Sequence, residues 1–265
     1  MTDEEGLDMT ADLRVLVETS RLGSELVTRN QRLIYENLLR KSAHLDSGNF
    51  TKIHTADLRR LFDEYDRCFF ESQIGTMLCD TTLGFRLSKR MTRNAGRTAR
   101  YGGPSHPNGS RYEISVSTEL LFQCFRGNDH RSITVCGIVC ADRLEALQRV
   151  MEHELVHLLE QLLWSKSSCS AVRFQSIASR FFSHESHTHQ LITSRELALE
   201  QFGVAPGDYV RFRCGSAHHV GTVTRITKRA TVLVRNSRGS VFSDGRKYST
   251  YYVPVERLEV VRNHK

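Results

Sequence analysis

The sequence lacks any run of about 18 apolar residues, which is the length that a helix needs to cross a bilayer. Its first residues, Met1 to Gly6, are acidic and contain no apolar stretch of the kind found in secretory signals. Proline occurs only 4 times, and the 7 cysteines are an odd number scattered along the chain. We therefore expect neither membrane insertion nor a disulfide scaffold, but a cytoplasmic protein with reduced thiols.

The overall composition is that of a soluble globular protein. Hydrophobic residues make up 39% of the 265 residues and charged residues 25%, which excludes a disordered or collagen-like chain. A chain of this length can bury a core in one large domain or in two small ones.

Positive charge is concentrated near the C-terminus. Residues 206–265 contain 12 Lys and Arg against 4 Asp and Glu, a local net charge of +8, whereas the whole chain carries +7. Residues 1–205 therefore sum to −1. This asymmetry indicates an acidic partner, and we expect DNA or RNA. The alternative is a small basic domain whose charge serves only solubility.

The hydrophobic pattern predicts an α+β protein with three domains. In residues 1–50, apolar residues recur every three to four positions, which predicts a helical arm that packs on the main domain or on a second chain. Residues 51–202 are predicted to form the main domain. Residues 203–265 contain four or five short strands, which are typical of a small SH3-like β-barrel.

The predicted main domain combines helices with a small sheet. Helices are predicted over residues 55–70, 142–164 and 170–182, and Thr55 and Asp142 are the expected N-caps of the first two. Short alternating runs predict three strands of an antiparallel sheet, at residues 83–87, 98–101 and 112–116.

The helix predicted over residues 142–164 contains the motif His153-Glu154-Leu155-Val156-His157. Residues four apart lie one above the other on a helix, so the imidazoles of His153 and His157 can reach one zinc ion. Zinc brings the pKa of a bound water to about 7, and Glu154 can take its proton and pass it to the leaving amine of a peptide. Both histidines lie opposite the apolar stripe of the helix, so we expect them on the side that faces away from the core. Two surface histidines without a metal are the alternative interpretation.

A catalytic zinc needs a third protein ligand and keeps one position open. Cys169 precedes the next predicted helix and is the preferred candidate if the chain turns back after Trp164. A buried structural cysteine is the alternative. His184, His187 and His189 follow the far end of that helix, about 20 Å away, so both ends cannot contact one metal.

Glu160 follows His153 by seven residues on the same helical face. Three ligands on one straight helix would spread too far, so we interpret Glu160 either as a carboxylate that orients His157 or as a surface charge. It also stands where the longer H-E-x-x-H-x-x-G-x-x-H pattern has glycine, which argues against a metzincin.

Several strings of the main domain, together with the zinc motif, resemble the SprT-like metallopeptidases, which include the Spartan-type proteases of DNA–protein crosslinks. They occur in the order Leu61-Phe62-Asp63-Glu64-Tyr65-Asp66, Phe69-Phe70, Leu87-Ser88, Tyr112-Glu113-Ile114-Ser115-Val116-Ser117 and the motif at 153–157. The resemblance covers about residues 55–185 and implies a zincin-like fold, zinc bound by His153 and His157, and Glu154 as catalytic base.

The chain departs from this family in two places. The family's third zinc ligand is a histidine that opens the next helix, in an H-G-x-x-F or H-G-x-x-W string. Here the string reads Cys169-Ser170-Ala171-Val172-Arg173-Phe174, which puts Ser170 or, with one inserted residue, Cys169 in the ligand position. Many relatives also end in a C-x-x-C zinc ribbon. This chain has in its place the basic segment, residues 206–265.

The basic segment interleaves cationic and aromatic side chains. Its aromatic residues are Tyr209, Phe212, Tyr248, Tyr251 and Tyr252. Cations can neutralise phosphates while aromatic faces stack on bases, which favours nucleic acid as the partner. About half of these aromatics should be core residues on a small barrel. A protein ligand and a purely structural barrel are the alternatives.

We therefore predict a zinc metallopeptidase that acts on nucleic-acid-associated protein substrates. An exposed strand within residues 83–116 would hold an unfolded substrate by β-addition. The rival prediction is a nucleic-acid-binding protein in which the zinc, bound by His153, His157 and Cys169, is only structural.

Overall fold

The computed structural model describes residues 3–78, 81–102, 110–126 and 131–261. Helices and small sheets occur together, which confirms the α+β class. The chain divides into two compact units, Met1–Leu191 and Ile192–Lys265. Among the described residues, none of the helices combines the length and the apolar character that a membrane span requires.

The first unit contains most of the helices. Those described are α1 (Asp3–Thr19), α2 (Ser24–Lys41), α3 (Thr55–Phe69), α4 (Gln73–Met77), α5 (Thr118–Gln123), α6 (Arg143–Trp164) and α7 (Val172–Phe182). Its strands are β1 (Thr82–Ser88), β2 (Gly96–Tyr101), β3 (Arg111–Ser117), β4 (Ile133–Val135) and β5 (Ile138–Cys140).

The predicted N-terminal arm consists of α1 and α2 and packs on the main domain. Leu13 and Val17 of α1 are fully buried. Arg180 of α7 donates hydrogen bonds to the carbonyl oxygen of Val17, at 2.8 Å, and to that of Ser20. The arm was predicted to pack on the main domain or on a second chain. It packs on the main domain, because α1 covers apolar surface of its own chain.

The N-cap of α3 is His54 and not Thr55. The His54 ring accepts a hydrogen bond from the Ala56 amide at 3.2 Å, and Asp57 accepts one from the His54 amide at 2.8 Å. This reciprocal pair is a capping box in which an imidazole nitrogen replaces the usual hydroxyl. Thr55 was predicted because hydroxyl side chains are the common caps, and it becomes the first helical residue instead.

The three-stranded sheet has the order β1-β3-β2. The prediction of an antiparallel sheet was wrong for one pair, because β1 and β3 run parallel while β2 and β3 run antiparallel. The chain reverses direction twice between β1 and β3, and β3 then lies between the other two strands. As a result, β2 is an edge strand of the described sheet, and it packs beside α6.

A tight hairpin joins β4 and β5. Its turn residues, Cys136 and Gly137, both have positive φ angles, 56° and 82°, as a two-residue hairpin turn requires. A Cβ atom on Gly137 would lie 2.7 Å from that of Glu185, so only glycine fits there. Cys136 and Cys140 are free thiols within this hairpin.

The helix α6 runs through the centre of the first unit. Asp142 caps it as predicted, accepting hydrogen bonds from the amides of Leu144 and Glu145 at 2.9 Å. Nearly every residue from 143 to 160 is buried or half-buried. The expectation that His153 and His157 face away from packed structure was wrong, because Phe174 of α7 packs against both rings.

The second unit contains an α-helix, one antiparallel sheet and a short 3-10 helix, Val255–Arg257. Its α-helix and strands are α8 (Ser194–Phe202), β6 (Tyr209–Cys214), β7 (Ala217–Ile226), β8 (Ala230–Val241), β9 (Lys247–Val253) and β10 (Glu259–Val260). The strand order is β10-β6-β7-β8-β9, and Val210, Val223 and Val232 are among its core residues. In residues 192–261, β10 and β9 do not pair, so the sheet is open where a barrel was predicted.

Candidate metal centre

His153 and His157 direct their Nε2 atoms toward the same point. These two nitrogens lie 3.2 Å apart. Two imidazoles bound to a tetrahedral zinc at about 2.0–2.1 Å would place their nitrogens about 3.3 Å apart. The spacing of four residues along α6 therefore produces a pair of donors with the separation that one ion requires.

Cys169 is the third side chain at this point. It lies in the turn between α6 and α7, and its Sγ atom and one ring nitrogen of each histidine all lie within 4.8 Å of one another. The turn is possible because Ser165 ends α6 in the left-handed conformation, with φ 58°. Two imidazoles and a thiolate suit zinc, which binds nitrogen and sulfur ligands in tetrahedral sites.

A chain of hydrogen bonds leads from His157 to a buried carboxylate. The Nδ1 atom of His157 lies 2.6 Å from Oγ of Ser167, which donates to Oε2 of Glu160 at 2.7 Å. Glu160 is fully buried and forms a 2.7 Å ion pair with Arg173. With the serine proton directed at Glu160, His157 donates its Nδ1 proton to the serine, which leaves Nε2 as the metal-binding nitrogen. The interpretation of Glu160 as a surface charge was therefore wrong, and its link to His157 through Ser167 agrees with the other interpretation, a carboxylate that orients His157.

His153 is held from two sides. Its Nδ1 atom lies 3.8 Å from Sγ of Cys136, whose thiol points at the carbonyl oxygen of Arg149 at 3.9 Å. Burial raises the pKa of the Cys136 thiol, so it stays protonated. The ring of Phe174 contacts both imidazoles, at centroid distances of 4.8 Å for His153 and 4.6 Å for His157. The two rings therefore have little freedom to turn away from each other.

Both imidazoles are neutral at physiological pH. Burial, together with the neighbouring His157, lowers the pKa of His153 to about 3. Burial also lowers the pKa of His157 to about 4. A neutral imidazole has a free lone pair, so protons do not compete with a metal ion for these nitrogens near pH 7.

Glu154 lies between α6 and the edge strand β2. It is 3% exposed, and Thr98 of β2 directs its hydroxyl at Oε2, 2.7 Å away, and at the Glu154 carbonyl oxygen, 3.0 Å away. A Cβ atom on Gly96 would lie 2.4 Å from Oε1, so β2 can approach this carboxyl only with glycine there. Burial raises the pKa of Glu154 to about 7, against the Thr98 hydrogen bonds. A carboxyl group with this pKa can both accept and release a proton near neutrality.

The other candidate ligands are engaged elsewhere. His184 lies 2.8 Å from Glu152, and Nε2 of His189 lies 2.9 Å from the carbonyl oxygen of Arg93. His187 does not belong to the metal-ligating cluster found among the described residues, and the Ser170 hydroxyl lies 3.0 Å from that of Ser168.

Sequence reasoning missed a second buried network, which centres on Glu152. This fully buried carboxylate accepts hydrogen bonds from Tyr65 at 2.7 Å and from Gln31 and Arg149 at 2.9 Å, in addition to His184. Burial alone would raise the pKa of Glu152, but the Arg149 charge and the His184 hydrogen bond outweigh it and lower that pKa. The network joins α2, α3, α6 and the segment after α7, and no local sequence pattern marks it.

Comparison of this chain with protein-family models, curated proteins and solved structures finds no match. The chemistry of this site therefore rests on its own geometry. That geometry combines two neutral imidazoles, a nearby thiol and a buried carboxyl group poised near neutral pH.

Proposed function

We propose that this chain is a zinc-dependent metallopeptidase. The observation that carries the proposal is the 3.2 Å separation of the His153 and His157 Nε2 atoms, with Cys169 within 4.8 Å. Zinc held by these three residues would supply Lewis acidity and lower the pKa of a water molecule. With three protein ligands, a bound zinc would keep a fourth position for that water, as in catalytic zinc sites.

Glu154 acts as general base in this proposal. It accepts a proton from the attacking water and passes it to the amine that leaves when the peptide bond breaks. Two features support this role: the pKa of Glu154 is raised to about 7 by burial, and Thr98 directs a hydroxyl at its Oε2 atom. The first makes proton transfer feasible in both directions near pH 7, and the second fixes the carboxyl position.

The edge strand β2 is the proposed substrate-binding strand. Gly96 and Thr98 contact Glu154, so a peptide paired with β2 would pass the general base. On one side β2 pairs with β3, and on its other side no strand of the described residues pairs with it. An extended peptide could add there through main-chain hydrogen bonds, with little requirement for sequence.

We also propose the finer fold and the biological setting that the resemblance implies. The helix α3, the three-stranded sheet, α6 and α7 occur in the order expected for a zincin-like SprT domain, and the second unit would be an SH3-like module. Nucleic-acid-associated proteins are the proposed substrates, because the basic segment, with a local net charge of +8, accompanies the peptidase site in one chain. The cytoplasm is the proposed location, because cysteines such as Cys136, Cys140 and Cys169 are free thiols.

Zinc content and zinc-dependent hydrolysis test the proposal. We expect about one zinc per chain by mass spectrometry, lost in His153→Ala, and cleavage of unfolded casein that stops on chelation and returns with added zinc. His44→Ala is the control, since His44 is an exposed histidine outside the site. A chain that binds no zinc when purified without chelator, or zinc-loaded protein that cleaves no unfolded substrate with or without nucleic acid, would overturn it.

One observation favours a second candidate, a zinc site that is structural only. Cys169 brings a thiolate to the site, and sulfur donation reduces the Lewis acidity of zinc. Replacing Cys169 by histidine separates the two functions. If the site is hydrolytic, Cys169→His should change the rate of casein cleavage. If the site is only structural, the substitution should change the thermal stability of the protein and nothing else.

A further inference from the structure

We infer that the outer face of the second-unit sheet binds unpaired nucleic acid, with bases stacked on Tyr209 and Tyr252 and phosphates paired with arginines. This inference rests on the part of the proposed function that brings the chain to nucleic acid, and peptide hydrolysis can fail without affecting it. The outer face is defined here by the side chains that alternate with the core residues along β6, β7, β8 and β9.

Strand alternation separates this face from the core. In β6, Val210 and Phe212 are buried, whereas Tyr209, Arg211 and Arg213 are exposed. Residues directly opposite each other on neighbouring strands lie on the same face. The register places three exposed residues of β7 opposite those of β6, namely Thr222 beside Tyr209, Val220 beside Arg211 and His218 beside Arg213.

The same face continues across β8 and β9. Arg235 lies opposite Tyr248, and Thr231 lies opposite Tyr252. The register aligns Tyr209 with Thr250 of β9, so Tyr252 lies three strand spacings across the sheet and two residues further along, about 16 Å from Tyr209. Such a distance leaves room for more than one nucleotide between two stacked bases.

Two tyrosine rings on this face have no place in the core. Tyr209 is 49% exposed and Tyr252 is 67% exposed. Phe212 is buried, and the Tyr251 ring packs edge-on against it with a centroid distance of 5.3 Å. The predicted division of the aromatics into core and surface is therefore observed, and the surface pair presents flat rings to solvent on an ordered sheet.

Positive charge lies on the same strand and face as the first of these rings, at Arg211 and Arg213. Among the described residues, a groove of about 710 Å³ beside β6 is lined by Arg211, Arg213, His218 and Arg257 together with one carboxylate, Glu259. A partner that fits this surface must be a polyanion with accessible flat groups. Single-stranded DNA and RNA meet both conditions, whereas a duplex hides its base faces within the stack.

Fluorescence anisotropy of labelled oligonucleotides with the full chain tests the inference. The probes are a 15-nucleotide oligo-dT, the matching oligo-rU and a DNA hairpin duplex of similar length, each at 50 and 200 mM salt. We expect both single strands to bind more tightly than the duplex, and the affinity to fall as salt rises. Because dT has a base methyl group and rU has a 2′-hydroxyl, tight binding of both shows that the surface requires neither group. Equal or tighter binding of the duplex would overturn the assignment to unpaired strands.

Variants separate stacking from charge. Tyr252→Ala and Tyr209→Ala should each weaken single-strand binding about 5- to 150-fold. Phe202→Ala is the matched control, because Phe202 is 45% exposed on α8, outside the sheet, and it should bind normally. Arg211→Gln combined with Arg213→Gln should flatten the salt dependence by about 1.4 in log–log slope. Tyrosine variants that melt normally and bind as tightly as the unmutated chain would overturn the inference.

Discussion

The two units of this chain use the same polar residue types in opposite ways. In the first unit, His153 and His157 are half-buried and neutral, and Arg149 pairs with the fully buried Glu152 at 2.9 Å. In the second unit, Arg211 and its neighbours stand exposed on a sheet. Burial fixes the tautomer and position of a side chain, which suits chemistry, whereas exposure leaves its charge available to a partner.

The largest expected effect is on catalysis in the buried site. Glu154→Gln keeps the size of the side chain and its contact with Thr98 but cannot accept a proton. We expect at least a 100-fold loss of the casein cleavage rate, since general base catalysis contributes about 10²- to 10⁴-fold. Zinc content should stay the same, because Glu154 is not one of the clustered ligands. Unchanged cleavage by this variant would refute the assigned role.

The same substitution should stabilise the metal-free protein at high pH. Burial raises the pKa of Glu154 to about 7 in the folded state, so between about pH 4.5 and 7 the folded state holds a proton that the unfolded state releases. Stability is therefore lost as pH rises through this range. Above pH 7, metal-free Glu154→Gln should be more stable than the unmutated chain by on the order of 3 kcal/mol.

Urea denaturation in chelator-containing buffer from pH 5 to pH 8 measures this difference. The advantage of the variant should grow with pH, from a small value near pH 5. A difference between the two proteins that is constant with pH would show that the carboxyl group does not titrate in the folded state as we infer.

A smaller effect is expected from Ser167, which connects His157 to Glu160. Ser167→Ala removes both hydrogen bonds, at 2.6 and 2.7 Å, and leaves the three clustered ligands in place. Loss of such an outer partner typically weakens metal binding 10- to 100-fold. Competition with a fluorescent zinc chelator measures the affinity. Ser170→Ala is the control, because Ser170 is exposed and bonds only Ser168 among the contacts described. Equal affinity in the two variants would remove Ser167 from the site.

The part of the site that the sequence could predict is the part with local spacing. His153 and His157 follow from one helical period, and the cap at Asp142 follows from its place before an apolar stripe. Cys169 could be preferred over the distal histidines because a helix of known length separates them. Each of these inferences needs only a few consecutive turns of chain.

The remainder depends on contacts between distant segments. Glu160 and Ser167 meet because α6 ends in a left-handed residue, and Thr98 reaches Glu154 because β2 occupies a sheet edge. The parallel pairing of β1 with β3 is likewise a consequence of strand order, which alternation along each strand cannot indicate. The prediction that His153 faces away from packed structure was wrong for the same reason. Periodicity along one helix does not show which other element packs against it, here Phe174 of α7.

One chemical change made in both units gives the last comparison. Tyr65→Phe removes a 2.7 Å hydrogen bond to the buried Glu152, and Tyr248→Phe removes a 2.8 Å hydrogen bond to the exposed Asp244. The first should cost about 1–2 kcal/mol, because a buried carboxylate loses a donor that water cannot replace. The second should shift Tm by less than about 2 °C, since water replaces the lost donor at an exposed site. Thermal melts of the two variants measure both effects. Equal changes in Tm would mean that burial does not govern the strength of polar contacts in the two units.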